Sequence, residues 1–186
     1  DVEYEYYYTV PTPTETWIDN HKYQAIFRAE DNAGNLETSF SPSGFYYDTT
    51  PPDSAITYPD PAIGYINSLE DIQGTAQDVN DFTGIADVRV RIKNASDEYW
   101  SGTNWLGTAD SWLPTTSGSP WKCTDGPGPA DLTSGEVYTV ESRAEDGAGN
   151  LEFPAEISYT VDSQGPTTSI TFPQDGIPQN NVTHID

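Results

Sequence analysis

Apolar and polar residues alternate along much of this chain, with period two and not the 3.6 of a helix. Asp87-Val-Arg-Val-Arg-Ile92 and Val137-Tyr-Thr-Val-Glu-Ser-Arg143 are the clearest runs. Each is the pattern of a strand with one face buried and the other wet. Strands are predicted at 45–47, 54–58, 71–76, 85–92, 137–143 and 157–161, and the loop 77–84 separates two of them. Tyr4, Tyr6, Tyr7 and Tyr8 alternate imperfectly, like a strand in want of a partner edge. Between residues 94 and 130 the pattern breaks. There Trp100, Trp105, Trp112 and Trp121 sit among Ser, Gly, Thr and Pro, enough for one or two short strands within a long excursion. Seven or so short strands joined by turns predict an all-β protein built as a two-sheet sandwich.

The patterning also repeats. Arg28-Ala-Glu-Asp-Asn-Ala-Gly-Asn-Leu-Glu37 returns as Arg143-Ala-Glu-Asp-Gly-Ala-Gly-Asn-Leu-Glu152, nine of ten positions identical and 115 residues on. Asp48-Thr-Thr-Pro-Pro-Asp-Ser-Ala-Ile-Thr-Tyr-Pro59 matches Asp162-Ser-Gln-Gly-Pro-Thr-Thr-Ser-Ile-Thr-Phe-Pro173 at a spacing of 114, and Tyr23 falls opposite Tyr138. Two blocks in the same order at nearly one spacing predict a tandem array of modules about 114 residues long. Residues 1–50 then correspond to the back half of one module, 51–161 to a complete one carrying the tryptophan-rich insertion, and 162–186 to the first strand or two of the next. In the first block a strand ends, Asp31 or Asp146 accepts local N–H groups, Gly34 or Gly149 supplies positive φ, and a last strand begins at Leu36 or Leu151. Asp48-Thr-Thr-Pro-Pro52 reads as a stiff connector, because adjacent prolines favour extended backbone.

Composition narrows the function. Thirty acidic residues against seven Lys and Arg give a net charge of −23, which repels phosphate backbones and anionic membrane surfaces. Such a surface attracts hard divalent cations, calcium above all, and equally keeps a long extracellular polymer soluble. A single cysteine, Cys123, leaves no intrachain disulfide, so stability must come from core, repeats or metal. No signal-peptide pattern or membrane-length apolar run occurs and the chain opens at Asp1, as expected of a segment of something longer.

The order Ile72-Gln-Gly-Thr-Ala-Gln-Asp78, Ile85-Ala-Asp-Val-Arg-Val90, Ser134-Gly-Glu-Val-Tyr-Thr-Val140, Arg-Ala-Glu-Asp-x-Ala-Gly-Asn and Val161-Asp162 resembles bacterial immunoglobulin-like (Big-type) tandem repeat domains. The resemblance covers essentially the whole chain. It implies immunoglobulin-like β-sandwich modules in tandem, in a large extracellular or cell-surface protein such as an adhesin, or as accessory modules of a secreted enzyme. The tryptophan-rich excursion departs from the plainest members of that family.

Candidate chemistry is sparse. His21 and His184 are the only histidines, and no nucleophile elbow, zinc-protease or phosphate-loop motif appears, so no catalytic residue is nominated and an enzyme is not expected. Asp31, Asn35, Asp48, Asp78, Asp81, Asp146, Asn150 and Asp162 are the candidate calcium ligands, with Glu37, Asn80 and Glu152 beside them. These are turn and junction positions where a bound Ca²⁺ would bridge and stiffen a module boundary. Asp and Asn also serve there simply as good turn formers, and none of these stretches matches the twelve-residue calcium loop. The four tryptophans suit either a sugar-stacking platform or packing over an open sandwich edge, with packing the favoured reading. Asn94-Ala-Ser96 and Asn181-Val-Thr183 match the glycosylation sequon. The expected function is a non-catalytic stalk or fibre repeat whose partners are other copies or neighbouring repeats, stacked head to tail. In its sharper form the tail from Thr167 completes the half-module of another copy by strand complementation into a filament. The alternative is an adhesin-type module contacting polysaccharide or a host surface through its tryptophans.

Overall fold

A computed structural model of the chain describes residues 17–39, 41–79, 83–106, 111–173 and 175–183. Asn80, Asp81, His184 and the tyrosines at 4, 6, 7 and 8 lie outside these residues. In chain order the strands are β1 (His21–Ala25), β2 (Ser43–Tyr47), β3 (Asp53–Tyr58), β4 (Tyr65–Ile66), β5 (Ile72–Gln77), β6 (Ile85–Lys93), β7 (Tyr99–Trp100), β8 (Trp105–Leu106), β9 (Leu113–Pro114), β10 (Trp121–Cys123), β11 (Val137–Asp146) and β12 (Ala155–Val161), with a 3₁₀ turn at Pro129–Asp131. The protein is all-β.

β3 to β12 form two sheets. One runs β10-β5-β3, all antiparallel; the other runs β4-β12-β11-β6-β7-β8, with β9 also against β6 and β4 parallel to β12. Alternation dictates what lies between them. β6 turns Val88, Val90 and Ile92 inward and Arg89 and Arg91 outward, while β11 turns Tyr138, Val140 and Ala144 inward. The three-stranded sheet supplies Ile56, Ile72, Ala76, Trp121 and Cys123, and the two faces close on one β-sandwich core. Trp121 is 1% exposed and donates its Nε1–H to Thr75 O at 3.0 Å. Its ring lies where Gly74 has no side chain: a Cβ there would stand 2.1 Å from the ring and 2.1 Å from Ala55 O. Glycine is required at 74 by this close approach.

Two corners recur. Tyr138, at the start of β11, accepts the Thr133 N–H on its hydroxyl at 3.0 Å. Tyr23, in the hairpin β1–β2, accepts the Ile18 N–H at 2.8 Å. β1 and β2 pair antiparallel, His21 opposite Tyr47, as β11 pairs with β12.

Three expectations change. The tryptophan-rich stretch holds four short strands, β7 to β10, because Trp100 and Trp121 are drawn into the core and carry their backbones onto both sheets. Leu36 and Leu151 make only isolated bridges, to Glu30 and Glu145. The final strands start later, at Ser43 and Ala155; in the second copy Pro154, which lacks an N–H, comes just before that start. From Thr167 on, the described residues form no strand. The matching β3 is held by β5, and the tail has no such neighbour among the described residues.

Candidate metal centre

Asp146 closes β11 and opens a turn that its own carboxylate organises. Oδ1 accepts the N–H groups of Ala148 and Asn150 at 2.8 and 2.9 Å, and Oδ2 accepts Asn150 Nδ2 at 2.9 Å. Gly149, at φ +89°, lets the chain reverse at low cost. The side chain is 1% exposed. Asn150 Nδ2 also donates to Asp48 O at 3.1 Å, so the turn holds the connector that leads into β3. Asp48 itself is buried; its Oδ1 accepts Thr50 N–H at 3.0 Å. Asp78 follows β5 and completes the group.

One ligand oxygen from each of Asp48, Asp78 and Asp146 lies within 4.8 Å of the others. The hydrogen bonds do not satisfy this cluster. Thr83 Oγ1 stands 2.8 Å from Asp48 Oδ2 and 3.0 Å from Asp78 Oδ2, yet a hydroxyl has one proton to give. Asp78 Oδ1 is buried with no hydrogen-bond partner among the described residues. Among the described residues the Lys and Arg ion pairs lie elsewhere, on β6, β11 and the β10–β5 pair. Three carboxylates that converge with no ion pair to a Lys or Arg among the described residues are a group that could hold a metal ion. Oxygens sharing one Ca²⁺-sized ion at about 2.4 Å stand no more than about 4.8 Å apart, which these meet.

The other predicted ligands are placed differently. Asp31 and Asn35 reproduce the turn of Asp146 and Asn150 bond for bond: Asp31 accepts Ala33 N at 2.8 Å, Asn35 N at 2.9 Å and Asn35 Nδ2 at 2.8 Å. The turn is exposed, and hydrogen bonds from the Asn35 side chain and backbone and from Ala33 hold Asp31 below the ordinary carboxylate value. Asp162 is exposed and bonds Gln164 N at 2.9 Å, as Asp48 bonds Thr50 N. Its backbone N–H donates to Ile66 O at 2.8 Å. Glu152 is engaged as a clamp: Oε1 accepts Ser54 N at 2.9 Å and Oε2 accepts Ala144 N at 2.8 Å, which ties β3 to β11. Asp81 lies outside the described residues.

The tryptophans pack. Trp100 and Trp121 are core residues, and Trp105 packs edge-on against Trp100 and at a tilt against Tyr138, centroids 5.3 and 5.4 Å away. Trp112 lies over the outer face of the larger sheet, with the Arg91 and Arg143 guanidinium groups 4.6 and 4.1 Å from its ring centre. The role of Thr83 was not read from the sequence, since a lone threonine in a loop carries no signal. No helix among the described residues is long and apolar enough to cross a membrane.

Fold and site together define an all-β sandwich with an acidic triad, Asp48 and Asp146 buried and Asp78 partly so, where its connector enters. No protein-family model matches the chain, and no curated protein matches it.

Proposed function

We propose that this chain is a non-catalytic structural repeat of an extracellular or cell-surface stalk or fibre. Its modules are immunoglobulin-like, they stack head to tail, and a calcium ion held by Asp48, Asp78 and Asp146 fastens each connector to the sandwich that follows. The observation that carries this reading is the origin of the three carboxylates. Asp48 belongs to the connector, Asp78 to the loop after β5 and Asp146 to the turn after β11. An ion between them neutralises their repulsion and turns a hinge into a joint. The immunoglobulin-like assignment is supported by the tyrosine hydroxyl bonded to backbone five residues upstream, the corner seen in such sandwiches. The tandem reading is supported by the same corner and the same Asp-Asn turn in both copies.

The polysaccharide-contact alternative is the weaker one, because Trp100 and Trp121 are core residues and a platform would rest on Trp105 and Trp112 alone. Small-angle scattering of the chain in millimolar calcium and in chelator tests the joint. A narrower distribution of sizes in calcium, abolished by Asp48→Asn, is expected. Identical profiles in both buffers would overturn the calcium joint.

A further inference from the structure

The two copies of the Asp-Asn turn differ at one place within their ten-residue block: Asn32 in the first, Gly147 in the second. The turn itself does not call for glycine there. With Asn32 in place, Ala33 N–H and Asn35 N–H donate to Asp31 Oδ1, Asn35 Nδ2 to Asp31 Oδ2, and Gly34 N–H to Asp31 O, each matched by a bond at 146–150. Nor does Gly147 lie at positive φ. What needs the glycine is a neighbour. A Cβ on Gly147 would stand 2.5 Å from Thr83 O and 3.4 Å from Thr83 Cβ, and the Gly147 N–H donates to Gly84 O at 3.2 Å. The approach to β6 is thereby seated on the turn, and its first residue, Ile85, pairs with Asp146. Thr83 is also the residue whose hydroxyl lies between Asp48 Oδ2 and Asp78 Oδ2, at 2.8 and 3.0 Å.

We propose that Gly147 is the positioning residue of the metal joint: bare backbone at 147 lets Thr83 settle where its hydroxyl draws Asp48 and Asp78 together beside Asp146. This rests on the calcium reading of that cluster and says what selects it. A side chain at 147 must push Thr83 O back by about 1 Å to reach ordinary contact. The carboxylate oxygens lie within 4.8 Å of one another, about the widest spacing at which they can share a Ca²⁺-sized ion. Loosening by about 1 Å is enough to spoil such a site. Asp78 Oδ1, buried with no hydrogen-bond partner among the described residues, is the oxygen with most to gain from the ion. In a stalk of such repeats, Gly or Asn at this one position then decides which joints take up an ion and which stay bare.

The test is calorimetric titration of the full chain with calcium chloride, with near-ultraviolet circular dichroism fixing the folded fraction of each variant. Gly147→Asn and the milder Gly147→Ala are expected to bind calcium about tenfold more weakly or worse, as for other groups that orient metal ligands. Thr83→Val removes the hydroxyl without adding bulk at 147, and should weaken binding by a similar factor. Asn32→Gly, in the exposed twin turn, should leave the affinity unchanged. A merely structural role for Gly147 would lower the folded fraction and not the affinity of the molecules that stay folded. Wild-type affinity in Thr83→Val or in the folded Gly147 variants, or an equal loss in Asn32→Gly, would overturn the positioning role and leave the calcium joint standing. A wild type that takes up no calcium would overturn the joint, and this role with it.

Discussion

Replacing Asp78 by Asn changes stability in opposite directions with and without calcium, and the sign reversal follows from the cluster geometry. Without a cation, Asp78 faces two other carboxylates within 4.8 Å, a repulsion of about 3.5 kcal/mol per pair at an effective dielectric constant of about 20. Asp78 is only partly buried, so water and salt reduce this several-fold, to a net of about 1 kcal/mol. The substitution removes that charge and brings an amide that can donate to Asp48 or Asp146. In chelator the variant therefore unfolds about 4 °C above the wild type. In millimolar calcium the balance turns. A site with a dissociation constant of about 0.1 mM would stabilise the folded state by about 1.4 kcal/mol at about 1 mM ion, and the Asp78→Asn variant forfeits most of it. Thermal unfolding followed by near-ultraviolet circular dichroism, wild type and variant in both buffers, reads all four midpoints. Shifts of the same sign in both buffers, or a wild-type midpoint indifferent to calcium, would refute the reasoning.

Three further outcomes are expected. Gly74→Ala forces a methyl to within 2.1 Å of Ala55 O and the Trp121 ring, and urea unfolding should show a loss of about 3 kcal/mol or more, as for overpacked cores. Tyr159 is buried and donates to Pro59 O at 2.6 Å; burial first, and the nearby Asp60 charge second, push its pKa up to about 12. Its stabilising effect is whole below the free value of 10.0 and lost as pH rises through about 12, so ultraviolet titration should show one tyrosine ionising in that late step together with unfolding. Asp19 receives the Thr50 hydroxyl, then Thr49 N–H at 2.6 Å and Thr49 Oγ1 at 2.9 Å, which lower its pKa from 3.8. What it adds to holding the connector is present above 3.8 and lost as pH falls through its lower folded value, and carbon-detected NMR of the carboxyl should place that midpoint below 3.8.

The strands were legible because period-two alternation is a local signal, and burial follows it closely: Val88, Val90 and Ile92 in β6, Tyr138 and Val140 in β11. Starts and ends were less so. Glu152 turns its carboxylate back onto Ala144 and Ser54, and nothing in its neighbourhood distinguishes a clamp from a solvated acid. The tryptophan stretch read as an excursion because its strands are two or three residues long, below the length at which alternation can be seen. What makes them strands is tertiary: the core position of Trp121 depends on the absence of a side chain at Gly74, 47 residues earlier.

The candidate site shows the same division more sharply. Asp146 and Asp48 were both nominated as turn and junction acids, and Asp78 as part of an acidic loop, but so were five other positions, and sequence ranks all eight alike. What separates them is which other carboxylates converge on each. Asp31 spends its oxygens on three bonds inside its own exposed turn. Asp146 makes the same three bonds, so its chemistry differs only through what the connector adds: a second carboxylate, and a third from the loop that carries Thr83. A repeat read one copy at a time makes Asp31 and Asp146 equivalent. Read across the joint, among the described residues only the copy whose connector is seated gathers three carboxylates, so the proposed metal affinity would belong to the junction and not to the turn. Asp31→Asn should therefore leave the calcium-dependent unfolding midpoint of the sandwich unchanged, whereas Asp146→Asn should remove the shift; equal effects of the two would show that the turn itself, and not the joint, binds the ion.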